Sequence, residues 1–445
     1  MAIHFTSFLR VFIIALSFAS SIVLLSASPS LVLKIIHPSQ IYPLEHASSI
    51  EEASFARLDY LQAMATGDVM AHLSPSTPPA YLVNISIGSP PVMQLLHMDT
   101  GSNLLWLQCH PCIDCYTQSL PIFDPSKSYS YLKESCKTDE FSVPELTFDA
   151  KTNSCRYFMQ YMDGTESKGT LAKETLTFST IYGESSSASL SDVVFGCGHE
   201  NYGKPQQGTG VLGLGSGNFS LVHRFGSKFS YCLGNLNDLL YPYNVLVIGD
   251  SGDTLGYTTQ LEIENGLYYV KVEAISLGGS LLPIEPWVFQ RKHHNYASGT
   301  IIDTGTSLTM LAREAYEPLK EHIEDIFDGR FASVHVPIMG KKYYRECYKG
   351  DFERDLLGSG FPLLTFHFSD GAELSLDVKA IFSSTTPDHF CLNVIETIAR
   401  GLNVIGATAQ QNHNVGYDLE AHTVTFEGID CGFLYDSRLR VNHQS

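Results

Sequence analysis

A short motif occurs twice in this chain, and its repetition limits the folds that the chain can adopt. Asp99-Thr100-Gly101-Ser102 and Asp303-Thr304-Gly305-Thr306 are separated by almost half of the 445 residues. Apolar residues precede each copy, as a run at 92–98 and as Ile301-Ile302. A strand that ends in such a turn presents one carboxylate beside a flexible glycine and two hydroxyls. The repeat therefore predicts a duplicated lobe whose fold brings two aspartates together.

A second pair of matching segments extends the repeat. Val211-Leu212-Gly213 follows the first motif, and Val404-Ile405-Gly406 follows the second at a similar distance. A glycine after two apolar residues allows another backbone to approach closely, so each segment can pass beneath an aspartate turn. The duplicated unit is therefore the size of a lobe.

The first residues resemble a secretory leader. His4 and Arg10 precede an apolar run at 11–25, and small residues follow at 26–28. The pattern predicts a signal peptide at 1–28. An uncleaved membrane anchor is the alternative, but the run is shorter than the ~20 apolar residues that span a bilayer.

A separate pro-segment is predicted at residues 29–78. A capping-box sequence at 49–52 precedes apolar residues at helical spacing between 55 and 65, and a Pro- and Ser-rich linker follows at 74–79. The alternative is that this helix belongs to the folded body. The body itself is predicted to divide into an N-terminal lobe at 79–262 and a C-terminal lobe at 263–445.

Charge and cysteine content restrict the partners and the compartment. The net charge of −19 disfavours binding to nucleic acid or to anionic membranes. In a secreted chain, ten cysteines favour five disulfides. A zinc or redox reading of the closely spaced Cys109, Cys112 and Cys115 is disfavoured, because no second cluster completes a tetrahedral site. We expect neither a metal nor a cofactor.

The sequence pattern after residue 80 is typical of a β protein. Short runs rich in Val, Ile, Tyr, Phe and Thr alternate with Gly, Asn, Asp and Pro, for example at 81–87, 175–178 and 423–426. Only residues 313–327 predict a helix in this part. The fold class is therefore mostly β, in two lobes.

The paired aspartates predict acid–base chemistry. Two carboxylates a few ångströms apart cannot both ionise cheaply, so the pair shares one proton over a broad acidic range. Such a pair can activate a water and protonate a departing nitrogen without a metal or a covalent intermediate. The catalytic candidates are Asp99 and Asp303.

The other motif residues can support this pair. The threonines can tie the two turns together, the glycines let backbone amides reach the carboxylates, and the last hydroxyls can donate to the ionised form. These residues are Thr100, Gly101, Ser102, Thr304, Gly305 and Thr306.

A hairpin between the motifs can cover a cleft. Asp163-Gly164 is a hairpin-turn signal, and Tyr161 precedes it. The Trp106 indole can donate a hydrogen bond to the Tyr161 hydroxyl. The alternative is that both are ordinary core aromatics.

Together these features resemble the pepsin-type aspartic endopeptidases, and most closely the nepenthesin-like, atypical aspartic proteases of plants. The matching residues span about 80–431 and comprise segments 81–91, 99–106, 108–115, 195–198, 229–233, 410–412 and 416–418. The resemblance implies a bilobal pepsin-like acid protease fold with the active-site cleft between two related β lobes. It implies that Asp99 and Asp303 form the catalytic dyad and that Tyr161 is the flap tyrosine.

The resemblance also implies a biological setting. Members of the family are secreted zymogens that shed a pro-segment in acid and cleave proteins or peptides. We expect a monomer in the apoplast, with the vacuole as the other possibility, and no stable membrane insertion after signal cleavage. Met162 replaces the glycine usual after the flap tyrosine, which can stiffen the hairpin or alter the side chains accepted.

The disulfide pairing is likewise implied by the resemblance. The expected pairs are Cys109 with Cys112, Cys115 with Cys197, Cys136 with Cys155, Cys232 with Cys431, and Cys347 with Cys391. A further pair usual in the family lies between the positions of Cys136 and Cys155, and here both of its members are absent.

The sequence also contains two glycosylation sequons and one glycine-rich pattern. Asn84 and Asn218 begin glycosylation sequons, and Asn218 is the better candidate because Asn84 lies in a predicted strand. The glycine pattern at 208–213 has no βαβ setting, so nucleotide binding is rejected. The alternative functions are a catalytically inactive, glycosidase-inhibitor-like binding protein on the same fold and a membrane-anchored protease.

Overall fold

A computed structural model describes residues 31–36, 81–134, 146–161, 165–179, 187–203, 208–235, 238, 241–249, 254–292, 298–338, 343–397 and 401–441. The predicted signal peptide, most of the predicted pro-segment with its helix, Cys136 and the flap tip at 162–164 lie outside these residues.

Strands dominate both halves of the described chain. The first twelve are β1 (Leu31–Ile36), β2 (Leu82–Ile87), β3 (Val92–Asp99), β4 (Trp106–Gln108), β5 (Leu132–Lys133), β6 (Leu146–Asp149), β7 (Ser154–Gln160), β8 (Glu166–Ser179), β9 (Ser187–Tyr202), β10 (Gly210–Gly213), β11 (Lys228–Cys232) and β12 (Val245–Ile248).

The later strands are β13 (Tyr257–Glu264), β14 (Leu267–Val270), β15 (Val272–Leu277), β16 (Ser280–Leu281), β17 (Gly299–Ile302), β18 (Thr309–Leu311), β19 (Ser333–Ile338), β20 (Tyr343–Lys349), β21 (Leu364–Phe368), β22 (Glu373–Leu376), β23 (Phe382–Thr386), β24 (His389–Leu392), β25 (Val394–Glu396), β26 (Leu402–Ile405), β27 (His413–Asp418) and β28 (Thr423–Gly428). The mostly β prediction is confirmed.

Helices are few in the part of the chain that the structure describes. The α-helices are α1 (Arg313–Phe327), α2 (Val378–Ile381) and α3 (Cys431–Val441). Short 3₁₀ turns lie at Pro125–Lys127, Leu221–Phe225, Pro286–Val288, Ser369–Gly371 and Ala407–Gln410, and one π turn lies at Phe352–Leu357. The predicted helix at 313–327 has the predicted bounds, whereas α2 and α3 were not predicted from the sequence. Helix α1 forms because Ala315, Leu319 and Ile323 recur on one face and are buried.

The two halves repeat one arrangement of strands. In the first half, β10 runs parallel to β3 and antiparallel to β4, with Gly213 opposite Asp99. In the second half, β26 runs parallel to β17 and antiparallel to β18, with Ile405 opposite Ile302. The predicted lobe-sized duplication is thus present in the sheet topology.

A sheet shared by the two halves joins them. Strand β11 from the first half pairs antiparallel with β27 from the second, with Tyr231 opposite Val415. Strand β12 extends this sheet on one side, and β28 and β13 extend it on the other. The main hydrophobic core contains residues of both halves, so both aspartate motifs rest on one packed body.

Part of the predicted pro-segment belongs to that sheet. Strand β1 pairs antiparallel with β12, Lys34 lying opposite Val245, and then with β2, Ile35 lying opposite Val83. Leu31, Leu33 and Ile35 are buried because alternate side chains of a strand point to the same face. The N-terminal end of the segment is therefore built into the body, whereas the boundary at residue 78 remains a prediction.

Two of the predicted disulfides are wrong. The structure pairs Cys109 with Cys197 and Cys112 with Cys115. Strand β4 runs parallel to β9, and the Cys109 N–H donates to the Gly198 carbonyl. This pairing brings Cys109 and Cys197 to a Cα separation of 5.3 Å, so that Cys197 bonds to Cys109 and not to Cys115. Cys112 and Cys115 then close a short surface loop.

Of the other three predicted disulfides, two are present in the structure and one involves a cysteine outside the described residues. Cys232–Cys431 and Cys347–Cys391 are confirmed, and the first ties β11 to the beginning of α3. The Cys136–Cys155 pair stays a prediction because Cys136 is outside the described residues. In the described part of the chain, no helix is long and apolar enough to cross a membrane.

The glycosylation candidates occupy different surroundings. Asn218 is exposed in a turn after β10, whereas Asn84 is partly buried within β2 and lies opposite Leu95 of β3. An exposed turn admits a bulky glycan more readily than a paired strand does. Modification of either residue remains a prediction.

Candidate active site

Each predicted aspartate lies at the end of a strand near the boundary between the two halves. Asp99 is the last residue of β3, and Asp303 directly follows β17. Their exposed fractions are 4% and 0%. Two carboxylic groups so thoroughly removed from water need hydrogen-bond donors or a shared proton.

Hydroxyl and amide donors surround the two carboxyl groups as predicted. Ser102 Oγ donates to Asp99 Oδ2 at 2.5 Å, and the Gly101 N–H donates to Asp99 Oδ1 at 3.0 Å. Thr306 Oγ1 donates to Asp303 Oδ2 at 2.6 Å, which repeats the Ser102 contact. Such bonds favour the ionised form of a carboxyl group and fix its rotamer. Gly305 lies half-buried in the second turn.

The motif threonines connect the two turns across the halves. The Thr304 N–H donates to Thr100 Oγ1 at 3.0 Å, and the Thr100 N–H donates to Thr304 Oγ1 at 3.3 Å. Thr304 Oγ1 also donates to the Met98 carbonyl at 3.3 Å, and Thr100 Oγ1 lies 3.5 Å from Asp303 Oδ1. The predicted tie is present, and it brings the two aspartate turns into direct contact.

A glycine lies beneath each turn, also as predicted. A Cβ on Gly213 would stand 2.7 Å from the Ser102 carbonyl oxygen, and one on Gly406 would stand 2.3 Å from that of Leu308. The Leu214 N–H donates to the Asp99 carbonyl at 2.8 Å, and the Asp303 N–H donates to the Ile405 carbonyl at 3.1 Å. Only glycine allows the supporting strands to approach this closely.

The two predicted flap residues contact each other. Trp106 Nε1 donates to the Tyr161 hydroxyl at 2.8 Å, and both side chains are buried in a small aromatic cluster. The Tyr161 N–H donates to the Thr165 carbonyl at 2.7 Å, which closes the described base of the hairpin. The predicted bond between the two side chains is confirmed.

Asn103 is a site residue that sequence reasoning missed. Its Oδ1 accepts the Gly217 N–H at 2.7 Å. A Cβ on Gly215 or Gly217 would strike the Asn103 side chain, and one on Gly266 would stand 3.0 Å from its Nδ2. Asn103 thus joins the first aspartate turn to loops of both halves. Its place directly after the motif and the glycines at 213, 215 and 217 were the available signals.

His97 is a second group near the site that the sequence did not single out. It lies on β3 two residues before Asp99, and its Nε2 accepts the Gly208 N–H at 3.2 Å. Burial lowers the pKa of His97 from 6.5 to about 4. The folded state therefore holds His97 neutral over a range in which the unfolded chain protonates it.

We expect this histidine to make stability depend on pH. Because the folded pKa is the lower one, the contribution is complete above pH 6.5 and is lost as pH falls from 6.5 toward about 4. The free energy of unfolding should fall by about 3 kcal/mol over that range. His97→Gln should remove this part of the slope, whereas His110→Gln at an exposed position should retain it. Denaturant titrations at several pH values measure the difference, and identical slopes in all three proteins would refute the assignment.

Two buried carboxyl groups, each in a turn at the end of a strand and one from each of two related β lobes, are the arrangement of the aspartic peptidase class. Matches to known proteins agree with that class. Family models described as xylanase inhibitor N-terminal and xylanase inhibitor C-terminal match residues 81–250 and 267–428.

Named relatives narrow the class to a family. The chain is 34% identical to aspartyl protease UND of Arabidopsis thaliana, over 79% of this chain and 85% of that protein. It is 32% identical to aspartic proteinase nepenthesin-1 of Nepenthes gracilis, over 86% of this chain and 85% of that protein. The chain belongs to the pepsin-like aspartic protease family, among its nepenthesin-like plant members.

Solved structures share the fold. The crystal structure of edgp has a TM-score of 0.64 at 16% identity and covers 91% of this chain and 96% of its own. That of basic 7S globulin from soybean has a TM-score of 0.62, also at 16% identity, and covers 90% and 96%. At such low identity these likenesses establish the two-lobed fold alone.

Proposed function

We propose that this protein is an aspartic endopeptidase that hydrolyses peptide bonds in acid with a water activated between Asp99 and Asp303. The observation that carries the proposal is the contact between the two aspartate turns. Each turn holds a buried carboxyl group with its own hydroxyl donor, and the threonines bond across the boundary between the halves. Relatives named as aspartic proteases support it.

The proposed reaction needs only these two side chains and a water. The ionised carboxylate removes a proton from the water as its oxygen attacks the peptide carbonyl carbon, and the protonated carboxyl group donates to the carbonyl oxygen. In the collapse of the tetrahedral diol the C–N bond breaks and the protonated carboxyl group donates its proton to the leaving nitrogen, while the other carboxylate takes a proton from one diol hydroxyl as the carbonyl re-forms. The dyad ends with one proton, as it began. Ser102 and Thr306 hold the two groups at fixed rotamers throughout.

Tyr161 is proposed to position the substrate. Its ring stands at the base of the flap hairpin, and its hydroxyl accepts a hydrogen bond from the buried Trp106 indole. A hairpin that closes over the cleft excludes water from the dyad and aligns the peptide. The indole thus fixes the base of the hairpin.

Secretion as an inactive precursor is the second part of the proposal. The leader-like sequence at 1–28 and the disulfides, such as Cys232–Cys431, suit an oxidising compartment. Acid would promote cleavage of the chain near residue 78, and β1 would stay paired with β12 and β2 after the cut. N-terminal sequencing after acid treatment should find a new terminus near residue 79, and an unchanged N-terminus in fully active protein would exclude the precursor.

A catalytically inactive binding protein on this fold is the competing function. Its support is the match to the xylanase inhibitor models. Against it stand both aspartates, both cross-bonded threonines and the tyrosine of the flap, which a pure binding protein does not need. We therefore prefer the enzyme.

Hydrolysis of denatured globin at acidic pH tests this choice. Acid-treated protein should release peptides, and pepstatin should block their release. Globin left intact at every acidic pH, together with tight binding to a glycosidase, would favour the competing function.

Tyr161→Ala is expected to reduce turnover by about 10–100-fold. The loss of the ring removes the group that the Trp106 indole holds at the flap, while the fold below the hairpin stays intact. Tyr129→Ala is the matched control, because Tyr129 is 94% exposed. Steady-state kinetics with a peptide substrate measure the effect, and unchanged turnover in Tyr161→Ala would remove the flap assignment.

A further inference from the structure

A series of buried side chains, linked by hydrogen bonds, lies beneath the second aspartate turn. Tyr231 lies on β11 in the first half, and Tyr417 lies on β27 in the second. Their hydroxyl oxygens are 3.0 Å apart, and the Tyr231 hydroxyl also bonds to Gln410 Oε1. Gln410 Nε2 then donates to the carbonyls of Ile405 at 3.0 Å and Asp303 at 3.4 Å. This series of hydrogen bonds therefore ends on the backbone carbonyl of Asp303, one of the two catalytic candidates.

The direction of these bonds follows from the number of protons available. The Gln410 amide uses its N–H groups on two carbonyls, so its oxygen has to accept from Tyr231. Tyr231 has a single hydroxyl proton, so its oxygen accepts from Tyr417. All three residues are almost fully buried. Burial, and to a smaller extent the charge of Asp303, raises the pKa of both phenols, which keeps their protons in place.

The first aspartate turn has a corresponding support from the opposite half. Tyr268 lies on β14, and its hydroxyl donates to the Leu214 carbonyl at 2.8 Å. Leu214 in turn donates its N–H to the Asp99 carbonyl at 2.8 Å. Tyr268 therefore reaches across the lobe boundary in the direction opposite to Tyr231.

Aromatic packing joins the two supports into one unit. The Phe229 ring stacks on Tyr417 with centroids 4.4 Å apart, and Tyr268 packs against Tyr417 at 5.1 Å. Because close-packed interiors leave little free space, we expect a displacement of one support to shift the other.

We propose that Tyr231 and Tyr268 are crossed positioning residues: each holds, through its hydroxyl, the aspartate-bearing segment of the opposite lobe. This inference rests on the proposed peptidase function. Neither tyrosine touches substrate. Both act through backbone groups that set the separation and orientation of the two carboxyl groups, on which a shared proton and a bound water depend.

Removal of single hydroxyls tests the proposal. Tyr231→Phe and Tyr268→Phe should each lower kcat by about 10-fold, with KM changed less than about 2-fold, because the peptide-binding surface is untouched. Tyr348→Phe is the matched control. The Tyr348 hydroxyl is equally buried but has no hydrogen-bond partner among the described residues, and it lies on β20. Active sites are counted by pepstatin titration, so that a smaller folded fraction is not mistaken for a slower enzyme.

A double-variant cycle separates positioning from general stability. Gln410→Met should lower kcat at least as much as Tyr231→Phe, and the two changes together should cost no more than Gln410→Met alone, since the residues are links of one chain. If Tyr231→Phe does not fold, Tyr417→Phe can be used in its place. It removes the hydrogen bond from Tyr417 to Tyr231 and should lower kcat, by less than Tyr231→Phe would.

The outcomes distinguish this inference from the proposed function. If Asp303→Asn is inactive while Tyr231→Phe and Tyr268→Phe match Tyr348→Phe in kcat, the positioning role is wrong and the peptidase function stands. A lower melting temperature with unchanged kcat per titrated site is also against the inference, since it marks a merely structural role. If Asp303→Asn retains full activity, the shared-proton mechanism and the inference fail together.

Discussion

Asp303→Asn is expected to abolish acid peptide hydrolysis, with kcat lowered by about 10³-fold or more. Asparagine has nearly the same shape and can still accept the Thr306 hydroxyl bond, so the turn should persist. It cannot share an acidic proton with Asp99, and the water then has no base paired with an acid. Asp99→Asn should have the same effect.

The matched control for these variants is Asp325→Asn, an exposed aspartate on α1. It changes net charge by the same amount and should leave kcat unchanged. Peptide release from denatured globin, followed by the appearance of new amino groups, measures all three proteins. Full activity in either dyad variant would exclude the mechanism.

Gly406→Ala is expected to cost about 3 kcal/mol or more of stability and most of the activity. The new Cβ would stand 2.3 Å from the Leu308 carbonyl oxygen and 2.5 Å from its carbon, and both are backbone atoms that cannot rotate away. Either β26 or the second aspartate turn has to shift. Because the Asp303 N–H bonds to the Ile405 carbonyl, the shift reaches the carboxyl group.

The control for the glycine is Gly358→Ala, where an added Cβ meets nothing within 4 Å. It should change stability by less than about 0.5 kcal/mol. Denaturant unfolding and kcat, measured on the same preparations, report both effects. Wild-type stability in Gly406→Ala would show that the strand does not need this close approach.

The aspartate turns were predictable because local sequence determines them. A strand, a carboxylate, a hydroxyl and a glycine occur together twice, and the structure places Ser102 and Thr306 where the repeat requires. The helix at α1 was predictable for a similar reason, since its buried positions recur at helical spacing within one segment. Patterns of this kind need no knowledge of distant partners.

The pairing of Cys109 and the place of β1 were not predictable from local sequence. The register between β4 and β9 decides which cysteine meets Cys197, and that register depends on residues about 90 positions apart. Residues 31–36 form an apolar run with a single lysine, and their partners in the sheet are β12 and β2. Nothing within a short window identifies those partners.

The crossed tyrosines were missed for the same physical reason. Tyr231 and Gln410 are 179 positions apart, and Tyr268 bonds to a carbonyl 54 positions away. Nothing in the local sequence distinguishes these tyrosines and this glutamine from other aromatic and amide residues near predicted strands. Only the assembled sheet of β11, β27 and β14 shows that their hydroxyls end on the two aspartate segments.

A pH–rate profile decides whether the two carboxyl groups act as one acid–base pair. The quantity is kcat/KM for cleavage of a synthetic peptide by the acid-treated protein, measured from about pH 2 to pH 8. A shared proton predicts a bell-shaped profile with both limbs below neutrality, since activity needs the singly protonated pair. A rate that is independent of pH, or that keeps rising through neutrality, would contradict it.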